Sequence, residues 1–343
     1  MKLTARMAMA DPAESGTPQQ RRPGGGAAPQ AAPARRRPWP RETFLAILLV
    51  AAGAGMSVLS PHFLTAANLM NVLRYLVETG IIALPMTLII ITGGIDLSVG
   101  SILGLSGLVM GILWRAGVDI WVAALLALVA GAAAGLLNAL FITRLGIPPL
   151  VVTVATMTGY RGLALALSQA RPVSGFPRPF LEIGQGYVGP VPVQVLVLLV
   201  LAVVFHVLLT RTVFGRRVFA LGLNETAARY SGIQVARVKV WIYTLSGLLS
   251  ALAALILVAR TATARADAGT GLELDVVTAV VLGGTKITGG EGSIAGTVLG
   301  LLLIGIISNG LDLAGIPSVW RTVALGAALI LAILINQTVW RNR

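Results

Sequence analysis

Val191-Pro-Val-Gln-Val-Leu-Val-Leu-Leu-Val-Leu-Ala-Val-Val-Phe-His-Val-Leu-Leu209 runs for 19 residues without one Asp, Glu, Lys or Arg. A helix crossing the hydrocarbon core of a bilayer needs about 20 predominantly apolar residues, so this stretch has the length and chemistry of a membrane span. Similar runs recur along the chain. Counted against the same length, they predict spans near 43–60, 70–92, 98–114, 120–143, 148–169, 191–209, 239–259, 273–285, 293–311 and 319–338. The 273–285 run is too short for an ordinary helix, so it extends N-terminally or forms a broken or re-entrant element. Composition agrees: of 343 residues, 56% are hydrophobic and 11% charged, with mean hydropathy +0.86. A soluble domain carries about 25% charged residues. The expected fold is an all-α polytopic membrane protein of about ten transmembrane helices, some broken or short.

The net charge of +13 would suggest nucleic acid until it is placed along the chain. Residues 1–41 hold eight Lys/Arg against Asp11 and Glu14. That Pro-, Gly- and Ala-rich stretch is expected to be a disordered basic cytoplasmic tail near anionic lipid, spanning about residues 1–42. With the N-terminus inside, the tail, 93–97, 144–147, 210–238, 286–292 and 339–343 hold 17 Lys/Arg, and the opposite loops hold five. This is the asymmetry of the positive-inside rule, and ten spans return the C-terminus to the same side. Nucleic-acid binding is not expected.

Several chemistries are excluded. There is no cysteine and there are only two histidines, His62 and His206, which argues against thiol chemistry and a His-rich metal site. No Gly-Lys dipeptide exists, so there is no phosphate-cradling P-loop. Gly104-Leu-Ser106-Gly107 matches the G-x-S-G of intramembrane proteases, yet neither histidine is placed at its depth. No catalytic residue and no metal site are expected. The ionisable residues within or beside apolar runs, Arg74, Glu78, Asp96, Arg161, Asp275 and Asp312, mostly lie near run ends and form no charge ladder.

The longest internal loop, 210–238, is also the most basic. Asn224 suits an N-cap, Glu225-Thr-Ala-Ala-Arg229 a helical turn with a favourable i, i+4 pair, and Gly232 a C-terminal stop. A short helix outside the membrane is predicted, either a simple connector or a knob that docks on a separate motor protein.

Glycines punctuate the rest. Gly100/Gly104, Gly107/Gly111, Gly131/Gly135 and Gly292/Gly296/Gly300 have the small-xxx-small spacing of close helix contacts. Ile91-Thr92-Gly93-Gly94 and Ile287-Thr288-Gly289-Gly290 resemble each other, each followed at equal offsets by glycines. They are either repeat-related helix breaks or merely similar turns.

Gly93-Gly94-Ile-Asp96-Leu-Ser98-Val-Gly100-Ser101 resembles the signature turn of permease subunits of ribose-type ABC importers. So does Gly269-Thr-Gly271-Leu-Glu273-Leu-Asp275, leading through Gly283-Gly284-Thr285 to Gly289-Gly290. Ala220-Leu-Gly222-x-Asn224-Glu225-x-Ala227-Ala228-Arg229-x-Ser231-Gly232 is similar to that family's coupling loop. Gly159-Tyr160-Arg161-Gly162 and Gly315-Ile316-Pro317 lean toward members handling rhamnose or a furanosyl autoinducer. Thr226 in place of Ala, Lys286-Ile287-Thr288 and the long tail depart from the pattern.

The resemblance implies an ABC importer permease fold over 43–340, in a bacterial inner membrane with both termini cytoplasmic. It implies that the chain binds no cofactor, ATP and Mg being held by a partner ATP-binding subunit. Further implied partners are a periplasmic or lipid-anchored sugar-binding protein and a second permease, identical or paralogous. Gly222, Asn224, Glu225, Ala227, Ala228, Arg229, Ser231 and Gly232 would couple to the ATPase. Gly93, Gly94, Asp96, Ser98, Gly100, Gly283, Gly284, Gly289 and Gly290 would shape the pathway and its gating. Branched-chain amino-acid import by the same machine, and a stand-alone secondary carrier, are the alternatives.

Overall fold

The computed structural model describes residues 41–317 and scattered positions between 319 and 330. The tail up to residue 40 and most of the tenth predicted span lie outside the described residues. The chain is built from α1 (Arg41–Leu59), α2 (Ala66–Ile91), α3 (Val99–Arg115), α4 (Ile120–Arg144), α5 (Pro149–Ser168), β1 (Val173–Ser174), α6 (Arg178–Gln185), β2 (Tyr187–Val188), β3 (Val191–Pro192), α7 (Val193–Arg211), α8 (Val213–Leu223), α9 (Glu225–Tyr230), α10 (Val235–Thr261), β4 (Thr263–Ala264), α11 (Leu272–Leu282) and α12 (Ile294–Leu313). The first nine predicted spans each coincide with a helix. Seven of these helices, α1, α2, α4, α5, α7, α10 and α12, are long and apolar enough to cross a membrane. The two short ones are α3, of 17 residues, and α11, of 11. This is an all-α polytopic membrane protein.

Local chemistry sets the ends. Thr65, Asp119 and Ser293 cap α2, α4 and α12, their side chains accepting from Asn68 N at 3.3 Å, Trp121 N at 2.9 Å and Gly296 N at 3.0 Å. The second half of α2 and most of α10 are buried all round, and the other helices wrap this pair. In lipid no water-driven force pulls helices together, so backbones must approach closely. Gly131 and Gly135 of α4 and Gly247 of α10 supply that approach: a β-carbon at Gly247 would lie 2.8 Å from Gly135 N.

The 273–285 element is indeed broken. Before α11, residues 263–271 run beside α3, whose glycines make the room. A β-carbon at Gly111 would meet Ala264 at 3.2 Å, and one at Gly104 would meet Ala268 O at 2.9 Å. One at Gly100 would strike Gly269 O. Backbone that leaves a helix must find other hydrogen-bond partners. Here Arg161 of α5 donates to the carbonyls of Ala266 and Ala268, the latter at 2.7 Å.

The described internal loops of the two sets separated by charge gather at opposite ends of the bundle. At one end Ile91, Gly222 and Gly290 touch, and residues 142–149 face α9. At the other, β1 pairs with β4, Trp114 donates to Gly175 O at 3.1 Å, and Gln185 of α6 donates to Ala259 O at 3.0 Å. There Arg265 donates twice to Asp267, holding that carboxyl below its usual range. Helices α6 and α8 were not predicted; both are too short to read as apolar runs. The embedded acids also differ from expectation. Glu78 and Asp96 do not reach water from a run end but are enclosed by protein, at 3% and 0% exposure.

Candidate functional site

The helix predicted after Asn224 is present as α9. The Asn224 side chain accepts from Ala227 N at 2.9 Å, and Gly232 takes the left-handed conformation, φ +81°, that ends the turn. Ser231 donates to Ala227 O at 2.9 Å. Buried Ala228 packs with Leu221 and Val235, tying α9 to α8 and to the start of α10. Glu225 accepts from Arg229 at 3.2 Å, the predicted i, i+4 pair, and from Lys239 of α10 at 2.7 Å. Lys239 was not anticipated; at the lip of an apolar run it reads as an interfacial charge. The exposed Arg229 pair contributes little stability, whereas the Lys239 side chain is only 15% exposed. The Lys239 pair fixes α9 to the start of α10.

Gly222, at the end of α8, is the point where the predicted coupling and gating residues meet. A β-carbon there would overlap Ile91 O and lie 2.5 Å from Gly290 N. Gly290 N in turn donates to Ile91 O at 2.9 Å. Gly289, at φ +87°, has its own β-position 2.9 Å from Ile91 O, 3.1 Å from Gly222 O and 3.2 Å from Gly93 N. The two similar Ile-Thr-Gly-Gly turns are therefore in contact, with α8 wedged against both. Only residues without a side chain permit three backbones to come this close.

Asp96 forms the second cluster. After α2 ends, Gly93 at φ +77° turns the chain back, and Asp96 is carried inside the bundle. Its Oδ1 accepts from Ser98 N at 3.0 Å and Ser98 Oγ at 2.6 Å; its Oδ2 accepts from Ser246 Oγ of α10 at 3.1 Å. Asn138 of α4 donates to Ser98 Oγ at 2.8 Å, and Tyr160 of α5 donates to the Asn138 carbonyl at 3.2 Å. Among the described residues no Lys, Arg or His pairs with the Asp96 carboxyl. One buried network thus joins the start of α3 to α4, α5 and α10. Gly94 lies against the hydroxyl of Tyr243, 2.5 Å from where its β-carbon would be.

The remaining predicted glycines make a helix crossing. A β-carbon at Gly283 would collide with Gly296 backbone, and one at Gly300 would lie 2.8 Å from Gly283 N. Gly284, at φ +89°, ends α11. This crossing seats α11 on α12. The protease-like fragment has no partner: Ser106 is buried against Gly131 of α4, while His206 is exposed on α7. Sequence reading missed Ser246, Asn138, Tyr160 and Lys239. It also missed the pairing of Glu78 with Arg260, 2.8 Å apart, which ties α2 to the end of α10.

Residues 68–334 match the family model described as branched-chain amino acid transport system / permease component. The chain belongs to this family. It is 44% identical over 284 residues to the ribose import permease protein of Bacillus subtilis, covering 82% of this chain and 88% of that relative. The ribose import permease protein of Escherichia coli K12 is 39% identical over 305 residues, 87% of this chain and 94% of the relative. The autoinducer 2 import system permease protein of Yersinia enterocolitica is 41% identical over 261 residues, 74% and 79%. No solved structure matches the chain. The protein is a multi-pass transport subunit rather than an enzyme.

Proposed function

We propose that this chain is the membrane-spanning subunit of an ATP-driven importer that moves a monosaccharide, ribose- or rhamnose-like or a furanosyl signal. The observation that carries the reading is the junction at Gly222, which links the loop bearing α9 to the turns of both broken spans. A carrier working alone has no use for such a linkage, because nothing outside the membrane drives it. A motor docked on α9 does: its nucleotide state would be felt at Ile91, Gly93, Gly289 and Gly290 as a coupling between distant sites.

In this reading ATP and Mg are held by a separate ATP-binding subunit, and this chain binds neither. A periplasmic or lipid-anchored binding protein delivers the cargo, and a second permease, identical or paralogous, completes the pathway. The end carrying α9 faces the cytoplasm of a bacterial inner membrane, and both termini lie on that side. The family description names branched-chain amino acids, but the relatives cited above are named for ribose and autoinducer 2, which favours a sugar.

Gentle affinity purification of the tagged chain, with copurifying proteins identified by mass spectrometry, tests the class. A P-loop ATPase is the expected companion; a preparation without one that still transports in liposomes would establish a stand-alone carrier. Within the recovered complex, Glu225→Arg removes both ion pairs of α9 and sets three cations together. The variant should insert normally, while sugar-stimulated ATP hydrolysis and uptake fall about tenfold or more, within the usual range of coupling energies. Uptake at the normal rate would remove α9 from the coupling path.

A further inference from the structure

A cavity of about 560 Å³ opens beside α9. One wall is the turn between α4 and α5, including Arg144, Gly146 and Pro148; the other is α9 with the start of α10. The turn is held open by Gly146 at φ +66° and stiffened by Pro148 and Pro149. Three cations line the cavity, Arg144, Arg229 and Lys239, against the single carboxylate Glu225. Glu225 is already shared between Arg229 and Lys239, at 3.2 and 2.7 Å. Exposed Arg144 is left with no ion pair among the described residues.

From this geometry we infer that the α4–α5 turn is a second docking element for the ATP-binding subunit, and that an acidic side chain of that subunit enters between Arg144 and Arg229. The inference rests on the function proposed above. A guanidinium on each wall matches a carboxylate, which accepts bidentate pairs from arginine. The placement has a mechanical consequence. The turn is continuous with α4, whose Asn138 belongs to the Asp96 network, so a motor gripping both walls would act on α4 and α10 together. Docking on α9 alone would act only through α8 and α10.

The chain contains no cysteine, so a single introduced thiol is a unique handle. Arg144→Cys and, as the reference, Ser231→Cys would each carry a photoactivatable cross-linker in the full complex with the copurifying ATPase. Both positions are expected to capture that ATPase, position 144 through a peptide containing Asp or Glu. Arg144→Glu should lower sugar-stimulated hydrolysis about tenfold, Arg144→Lys should retain most of it, and replacing the captured acid by Arg should restore the Glu variant. Capture from position 231 but not from 144 would overturn the second docking element and leave the importer reading standing. Arg144→Glu with unchanged coupling would do the same. Capture from neither position would overturn docking at α9 and at the α4–α5 turn alike.

Discussion

Replacing Gly222 by alanine should abolish sugar-stimulated ATP hydrolysis and uptake, although the change adds a single methyl group. Gly222 lies in the last turn of α8, where helix propensity still favours alanine over glycine by up to about 1 kcal/mol, so propensity alone forecasts a gain. Packing forecasts the opposite. The added carbon would overlap Ile91 O and crowd Gly290 N, and both are backbone atoms that no side-chain rotation can move aside. Overpacking typically costs about 1–3 kcal/mol. The structure relieves it most simply by parting α8 from the two turns, which leaves the 2.9 Å hydrogen bond between Gly290 and Ile91 in place but frees the loop bearing α9 from both. The loss of function should therefore exceed the loss of folded protein. Uptake in proteoliposomes, normalised to monodisperse protein on size-exclusion chromatography, separates the two. A Gly222→Ala chain that transports normally would show that the junction is contact without consequence.

What could be read in advance divides by range along the chain. A 19-residue run such as 191–209 has no reading other than a span, because too few charges remain to face water. The ends of α9 were legible for the same local reason: Asn224 and Gly232 act within three or four residues of themselves. The turns at Gly93 and Gly289 were marked by glycine doublets, but their mutual contact was not, nor was the insertion of Gly222 between them. Side-chain partners far apart in sequence were invisible. Ser246 meets Asp96 across 150 positions, and Arg260 meets Glu78 across 182. A serine in an apolar helix carries no sign of which neighbour it serves. Asp96 was misplaced in depth because a turn after a span suggests the interface; here the chain folds back and takes the acid inside.

The buried site of Asp96 makes a second strong expectation. Asp96→Leu should leave the chain poorly assembled, because Ser98 N, Ser98 Oγ and Ser246 Oγ would lose their acceptor in a place water does not reach. Orphaning one such group costs about 1–3 kcal/mol, and three together approach the whole stability of many domains. That outcome alone would not separate architecture from transmission, so Ser246→Ala decides. It removes one donor, leaves Ser98 and Asn138 holding the turn, and cuts only the link from the break to α10. Ser246 lies seven residues beyond Lys239, which fastens α10 to α9, roughly 10 Å along the helix. A tilt of α10 driven from α9 would reach Asp96 through this hydroxyl. The expected result is a normally assembled complex whose basal ATP hydrolysis persists while stimulation by the loaded binding protein falls severalfold. Full stimulation in Ser246→Ala, beside collapse of Asp96→Leu, would mean that Asp96 only braces the turn and that motion reaches the broken spans through Gly222.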